Sequence, residues 1–101
     1  MFDKAKQMYD LQKKAIAMQK ELKETEIEAK SSDGNVTVVF NGEMRLLDIK
    51  IDEALMDDKD QLEKILERTI SEGIQRAQAV AAERTKEIMK EMNLNIPGMI
   101  S

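Results

Sequence analysis

The hydrophobic period of this chain changes twice, and that change limits the folds open to it. Residues 4–24 place apolar side chains at alternating steps of three and four, the period of an amphipathic helix. Residues 25–51 alternate between apolar and polar positions, as half-buried strands do. Residues 58–92 return to a helical period. The sequence therefore predicts a single α+β domain of the order α-β-β-β-α, in which two long helices flank a three-stranded antiparallel meander.

Turn signals divide the middle segment into three predicted strands. The run Ser31-Ser32-Asp33-Gly34 is a turn by composition. Asn41-Gly42 predicts a two-residue type I′ hairpin loop, because both residues tolerate positive φ. The strands are expected at about residues 25–30, 35–40 and 44–51, and a short tail, residues 93–101, follows the second helix.

The two-residue loop fixes an expected register for the hairpin. It would place Phe40 opposite Glu43, and Val36 opposite Leu47. Because side chains alternate between the two faces of a strand, this register also predicts which residues face the core. The expected core face consists of Val36, Val38, Phe40, Leu47, Ile49 and Ile51.

The first helix carries a narrow apolar stripe. A single chain of 101 residues has too small a core to bury it, so much of the stripe would be left in water. The stripe follows the a and d positions of a heptad and includes Ala15 among its members. We therefore expect a homodimer that buries this stripe. The residues assigned to the dimer seam are Met8, Leu11, Met18 and Leu22.

Basic residues are concentrated in the first helix, although the whole chain has a net charge of −4. Residues 1–23 carry six Lys against three acidic residues, a balance of +3, whereas residues 52–67 carry seven acidic residues against two Lys, a balance of −5. Lys6, Lys13 and Lys20 recur at f positions of the heptad, where ammonium groups can follow DNA phosphates. A solvated helix face is the commoner explanation of such spacing. The candidate DNA-binding residues are Lys4, Lys6, Lys13, Lys14, Lys20, Arg76, Arg84 and Lys86.

The composition excludes most catalytic chemistry. The chain has no Cys and no His, so thiol chemistry, the commonest general base and the commonest metal ligand are absent. The acidic cluster at residues 52–60 lacks the spacing of a calcium loop and is better explained by helix capping. We expect no enzymatic activity, no cofactor, no small-molecule substrate and no membrane span. The charged N-terminus, which lacks an apolar signal core, predicts a cytoplasmic location.

Several short strings also occur in a characteristic order along nearly the whole chain. They are Met1-Phe2, Lys6-Gln7-Met8, Met18-Gln19, residues 32–38, Asn41-Gly42, residues 49–55, Leu62-Glu63, and Leu94 with Pro97-Gly98-Met99. Together they resemble the YbaB/EbfC family of small nucleoid-associated DNA-binding proteins. The resemblance implies a homodimer that binds double-stranded DNA, alters its conformation, and affects nucleoid organisation and gene expression. It implies no enzymatic activity and no cofactor.

An alternative function is a protein-interaction adaptor. In that case the helix seams would face a partner protein, and the acidic balance of the chain would favour basic clients. The lysine stripe separates the two interpretations, because only a DNA-binding protein needs it exposed in the dimer.

Overall fold

A computed structural model describes residues 2–92, and these form one sheet and two long helices. In chain order the elements are α1 (Phe2–Glu24), β1 (Glu26–Lys30), β2 (Val36–Asn41), β3 (Leu46–Ile51), a 3-10 turn (Glu53–Leu55) and α2 (Lys59–Glu91). The strands are antiparallel and lie in the order β1-β2-β3. The predicted α-β-β-β-α fold class is confirmed. The predicted tail, residues 93–101, lies outside the described residues.

Acidic side chains cap the elements that follow the sheet. The Asp52 carboxylate accepts a hydrogen bond from the Ala54 N–H at 2.9 Å and so starts the 3-10 turn. The Asp58 carboxylate accepts from the Gln61 N–H at 3.1 Å and starts α2. Asp60, in the first turn of α2, adds a favourable interaction with the helix dipole. Capping therefore accounts for much of the acidic cluster at residues 52–60.

The hydrophobic core lies between α2 and one face of β1 and β2. Ile27 of β1 is opposite Phe40 of β2, and Ala29 is opposite Val38, so these side chains share the face that α2 covers. Alternation along each strand directs the intervening residues to the other face, where β1 carries Glu26 and Glu28. The buried members of the core are Ile27, Ala29, Val36, Val38, Phe40, Leu55 and Ala77.

The predicted type I′ turn at Asn41-Gly42 is wrong. The residue with positive φ in this loop is Met44, at 65°, and Gly42 has no positive φ. The Asn41 side chain instead organises a wider loop, since its Oδ1 accepts hydrogen bonds from the main-chain N–H groups of Glu43 (2.9 Å) and Arg45 (3.0 Å). The Asn41 amide also donates to the Lys23 carbonyl.

The wider loop changes the register of the hairpin. Val36 lies opposite Ile51 rather than Leu47, and a bulge interrupts the pairing at Val39 and Phe40. The partner of Val36 has moved by four residues. Because side chains alternate between faces, a shift by an even number leaves Ile49 and Ile51 on the face that was predicted for them.

The predicted burial of Leu47 and Ile49 is also wrong for the protomer. Ile49 lies opposite Val38 on the face of the core, yet 39% of its surface is exposed. Leu47 adjoins the bulge and is also exposed. The reason is that α2 packs mainly on β1 and β2, so β3 forms an edge of the sheet with little cover.

Gly42 is required by a close approach of two chain segments rather than by a turn conformation. Its N–H donates to the Leu22 carbonyl at 2.7 Å, which joins the hairpin to the end of α1. A Cβ at this position would lie 2.7 Å from Leu22 Cδ2 and 2.8 Å from the Leu22 carbonyl oxygen. The carbonyl belongs to the main chain, so it cannot rotate away from an added methyl group.

We expect Gly42→Ala to lower the free energy of unfolding by about 1–3 kcal/mol, because the added methyl overpacks this contact. Urea denaturation of the two proteins measures the difference. Gly34→Ala is the control, since Gly34 has φ of 78° with open space around it and so adds only backbone strain, about 1 kcal/mol. A Gly42→Ala protein as stable as the parent would contradict the contact with Leu22.

Past the sheet, α1 and the second half of α2 pack together as an elongated arm. Lys14 Nζ lies 2.8 Å from Glu91 Oε2, and Arg84 bonds to Glu21. A later residue of α1 thus pairs with an earlier residue of α2, so the two helices are antiparallel. We call residues 2–22 and 80–92 the arm. The described residues extend over 66 × 27 × 15 Å.

Within the range 2–92, no helix is both long and apolar enough to span a membrane.

Candidate nucleic-acid interface

A row of three ammonium groups lies on the outer face of the arm. Lys6, Lys13 and Lys20, which we call the lysine row, are exposed, and none of them forms an ion pair with another residue of the 2–92 segment. At 1.5 Å of rise per residue, the row spans about 21 Å of helix. Lys13 Nζ also lies 5.5 Å from the centre of the Tyr9 ring. The row therefore offers three cations to a ligand without first breaking an ion pair.

Lys4 and Lys86 are two further exposed candidates. Lys4 lies in the first turns of α1, at the tip of the arm, and Lys86 lies on α2. Neither is ion-paired within the described part of the chain. With the lysine row they make five exposed candidate cations without an ion pair in residues 2–92.

Three of the eight candidate residues are engaged inside the protomer. Arg76 donates to the Glu28 carbonyl at 2.9 Å and to the Glu72 carboxylate at 2.7 Å, which ties α2 to β1. Lys14 pairs with Glu91, as described above. Arg84 bridges Glu21 of α1 and Glu87 of α2. The geometry gives these three side chains a structural role: Lys14 and Arg84 hold α2 to α1, and Arg76 holds α2 to β1.

The ion pairs of the arm shift the pKa values of their members. The hydrogen bond from Lys14 lowers the pKa of Glu91, and the hydrogen bond to Glu21 raises the pKa of Arg84 further. The Glu91 carboxylate thus favours the folded arm above the pKa it has in the unfolded chain. That contribution is lost as the pH falls through the lowered pKa of the folded state.

Charge is distributed unevenly along the molecule. The acidic segment, residues 52–67, lies at the sheet end, in the 3-10 turn and the first turns of α2, whereas the lysine row lies on the arm. Among residues 2–92 no group of three acidic, His or Cys side chains is placed to hold a metal ion. The most distinctive charged surface of this protomer is therefore the basic outer face of the arm.

The residues assigned to the dimer seam have different environments. Leu22 is buried in the protomer, 6% exposed, against the hairpin loop at Gly42. Met18 is half-buried, and its sulfur accepts a hydrogen bond from the Thr85 hydroxyl of α2. Leu11 is half-buried, and Met8 is exposed. Part of the seam is thus occupied by α2 of the same protomer.

The whole pattern of this chain, from the first helix to the end of the second, corresponds to one family. The model of the YbaB/EbfC DNA-binding family matches residues 1–95. The chain belongs to the YbaB/EbfC DNA-binding family. The family resemblance stated from the sequence is confirmed.

Relatives of this YbaB/EbfC chain carry the name nucleoid-associated protein. One, from Syntrophobacter fumaroxidans, is 33% identical over 100 residues, which cover 97% of this chain and 89% of the relative. Another, from Campylobacter concisus, is 39% identical over 79 residues, covering 77% of this chain and 76% of the relative. The crystal structure of an uncharacterized protein from Helicobacter pylori matches with a TM-score of 0.71 and 27% identity, over 85% of this chain and 88% of that one.

Proposed function

We propose that this YbaB/EbfC protein binds duplex DNA in the nucleoid as a homodimer, without enzymatic activity, and alters the conformation of the duplex. The observation that carries the proposal is the exposed lysine row on the outer face of the arm. Family membership supports the same conclusion. Effects on nucleoid organisation and gene expression then follow from the change in DNA conformation.

The chemistry of the arm favours phosphate contacts over the reading of bases. Lys is a flexible point charge, and a row of Lys on a helix exterior neutralises phosphates and releases their counterions. Such contacts position a protein on DNA but carry no sequence information. The attraction to DNA is confined to the arm, because the net charge is −4 and the acidic sheet end repels the duplex. The expected binding is salt-sensitive and tolerant of sequence.

A second protomer explains the apolar surface of β3. Leu46, Leu47 and Ile49 are all exposed, and β3 is an edge strand with a free row of main-chain groups. Exposed apolar edges are favourable places for contact between copies. A dimer joined at this edge has two arms, and two lysine rows that grip one duplex together provide a means of changing its conformation.

We expect Ile49→Asp to convert a dimer into folded monomers, because a charge at a packed contact between copies is left without a partner. Ile49 is already exposed in the protomer, so the variant keeps its fold. Analytical ultracentrifugation distinguishes a mass of 11.5 kDa from twice that value. Ile16→Asp is the matched control, since Ile16 is an exposed isoleucine on the arm. Dissociation by Ile16→Asp alone would place the contact on the arm instead of β3.

Binding to DNA is tested most simply with the unmodified chain. A labelled duplex of random sequence is titrated with the protein at low salt, and fluorescence anisotropy reports the complex. The proposal predicts a saturable rise that weakens steeply as salt is added. No binding at low salt would contradict it and favour the adaptor function.

A further inference from the structure

We propose that an uncharged face of α1 enters the minor groove of the duplex and widens it, while the neighbouring lysine row holds the phosphates. The inference rests on the proposed binding of DNA and names the contact through which the bound duplex changes conformation. We call this surface the uncharged face. Its members are all exposed and are Ala5, Met8, Tyr9, Gln12, Ala15, Ile16 and Gln19.

The uncharged face is continuous along α1, because its members recur at helical spacings of three, four and seven. It carries the three most exposed of the large apolar side chains in residues 3–92, with Met8 72% exposed, Ile16 61% and Tyr9 60%. The charged residues of the stretch 5–19 lie outside it, and they are Lys6, Asp10, Lys13 and Lys14.

The second helix of the same protomer leaves the uncharged face open. The side chains of α1 that bond to α2 are those of Lys14, Met18 and Glu21. At about 100° of rotation per residue, these three lie on the opposite side of α1 from Gln12, which is at the centre of the uncharged face. The face is therefore available to a ligand in the folded protomer.

Charge complementarity identifies that ligand as the groove of a nucleic-acid duplex. The lysine row runs along one border of the uncharged face, and Lys13 Nζ lies 5.5 Å from the centre of the Tyr9 ring. A duplex groove has the same arrangement in the opposite sign, since its rims are phosphates and its floor is formed by uncharged base edges. With Lys6, Lys13 and Lys20 on a rim, the uncharged face lies over the groove.

The side chains of the face suit the minor groove. Met and Ile are among the residues that wedge between base steps from that groove, and Gln is among those that hydrogen-bond to its floor. Gln12 and Gln19 are seven residues apart, about 10.5 Å along the helix, which corresponds to about three base pairs. The minor groove presents nearly the same acceptors for A·T and T·A, so such contacts remain tolerant of sequence.

The dimensions of the two partners make a change in DNA conformation a condition of this contact. A helix with its side chains is about 10–12 Å across, whereas the minor groove of B-DNA is about 6 Å wide. The uncharged face can reach the base edges only if the groove widens. Widening with apolar insertion unstacks base steps, unwinds the duplex locally and bends it towards the major groove.

The experiment replaces the three large apolar side chains of the face with Gln, as Met8→Gln, Tyr9→Gln and Ile16→Gln in one full-length chain. Gln keeps the charge and favours helix, so the lysine row and the fold are retained. A nicked plasmid is ligated in the presence of saturating protein, and the linking number of the product measures unwinding. Fluorescence anisotropy confirms saturation. Met56→Gln is the control, because Met56 is 56% exposed and lies at the sheet end.

We expect the triple variant to unwind the plasmid about threefold less than the parent, or weaker still, at full occupancy. The salt dependence of its affinity should match that of the parent, since the lysine row is intact. Met56→Gln should unwind as the parent does. Unwinding by the triple variant equal to that of the parent would overturn this inference alone and assign the change in DNA to the lysine rows. A parent that binds no duplex would remove the proposed function as well.

Tyr9→Trp tests the contact itself, because the natural chain has no Trp. Quenching of the Tyr9→Trp fluorescence by acrylamide should fall about threefold or more when duplex is bound, because stacking on bases excludes the quencher. A Trp placed at Met56 should be quenched equally with and without DNA. Unchanged quenching of Tyr9→Trp in the complex would overturn the inference. Sedimentation of the triple variant at half the parent mass would overturn it in favour of a second copy on this face.

Discussion

Replacing Lys6, Lys13 and Lys20 together with Glu is expected to abolish binding to duplex DNA at moderate salt. The three ammonium groups are exposed and form no ion pair within residues 2–92, and their reversal turns an attractive row into a repulsive one. The melting temperature should change little, because exposed substitutions usually stay within about ±0.5 kcal/mol each. A titration of labelled duplex and a thermal melt of the same protein measure both effects.

The matched control reverses the same amount of charge at the other end of the molecule. Lys59, Lys64 and Arg68 are exposed in the first three turns of α2, away from β3. Their replacement with Glu changes the net charge equally but should weaken binding only slightly. Equal loss of binding in both triple variants would show that net charge, rather than the lysine row, determines affinity. Unchanged affinity in the lysine-row variant would move the contact to Arg76, Arg84 and Lys86 on α2.

Phe40→Ala is expected to lower the free energy of unfolding by about 3–5 kcal/mol, the range for deletion of a buried aromatic ring. Phe40 is 3% exposed and belongs to the core between β2 and α2. The ring lies directly beneath Gly73, where a Cβ would come 2.5 Å from its Cε2 atom. Chemical denaturation of the variant measures the loss, and a loss below 1 kcal/mol would contradict this packing.

Gly73→Ala tests the same contact from the helix side. In an exposed helix this change stabilises by about 1 kcal/mol. Here the added methyl overlaps the buried Phe40 ring, and overpacking of about 1–3 kcal/mol should make the net effect destabilising. In a Phe40→Leu background the loss should fall towards zero, since the smaller side chain leaves room. The same loss in both backgrounds would show that Phe40 and Gly73 are not coupled.

The helices and strands were predictable because their signals are local. The helical period of α1 and the alternation along β2 depend on residues within one element, and the structure has a helix and a strand at these places. The hairpin register was not predictable from Asn41-Gly42. The Asn41 side chain accepts hydrogen bonds from Glu43 and Arg45 and so stabilises a wider loop. Gly42 has no Cβ and therefore fits closely against Leu22, which is twenty residues away in the sequence.

The missed parts of the candidate site depend on contacts between distant segments. Arg84 pairs with Glu21 across 63 residues, and Lys14 pairs with Glu91 across 77. No spacing rule within one helix identifies such partners, because side-chain pairs are predictable only at separations of three and four. The exposure of Ile49 likewise depends on where α2 crosses the sheet. The lysine row was predictable, because Lys6, Lys13 and Lys20 share one helix face by heptad spacing alone.

The salt dependence of DNA affinity tests the central claim most directly. Each phosphate contact that is removed should lower the slope of log affinity against log salt by about 0.9. Replacing Lys6, Lys13 and Lys20 with Ala removes six cations from a dimer that holds one duplex with both lysine rows, so it should reduce the slope by roughly 5.4 and weaken binding to all duplex sequences alike. Replacing Lys59, Lys64 and Arg68 with Ala should leave the slope as it is in the parent. An unchanged slope in the first variant, with its fold intact, would contradict the assignment of the lysine row as the DNA-binding surface.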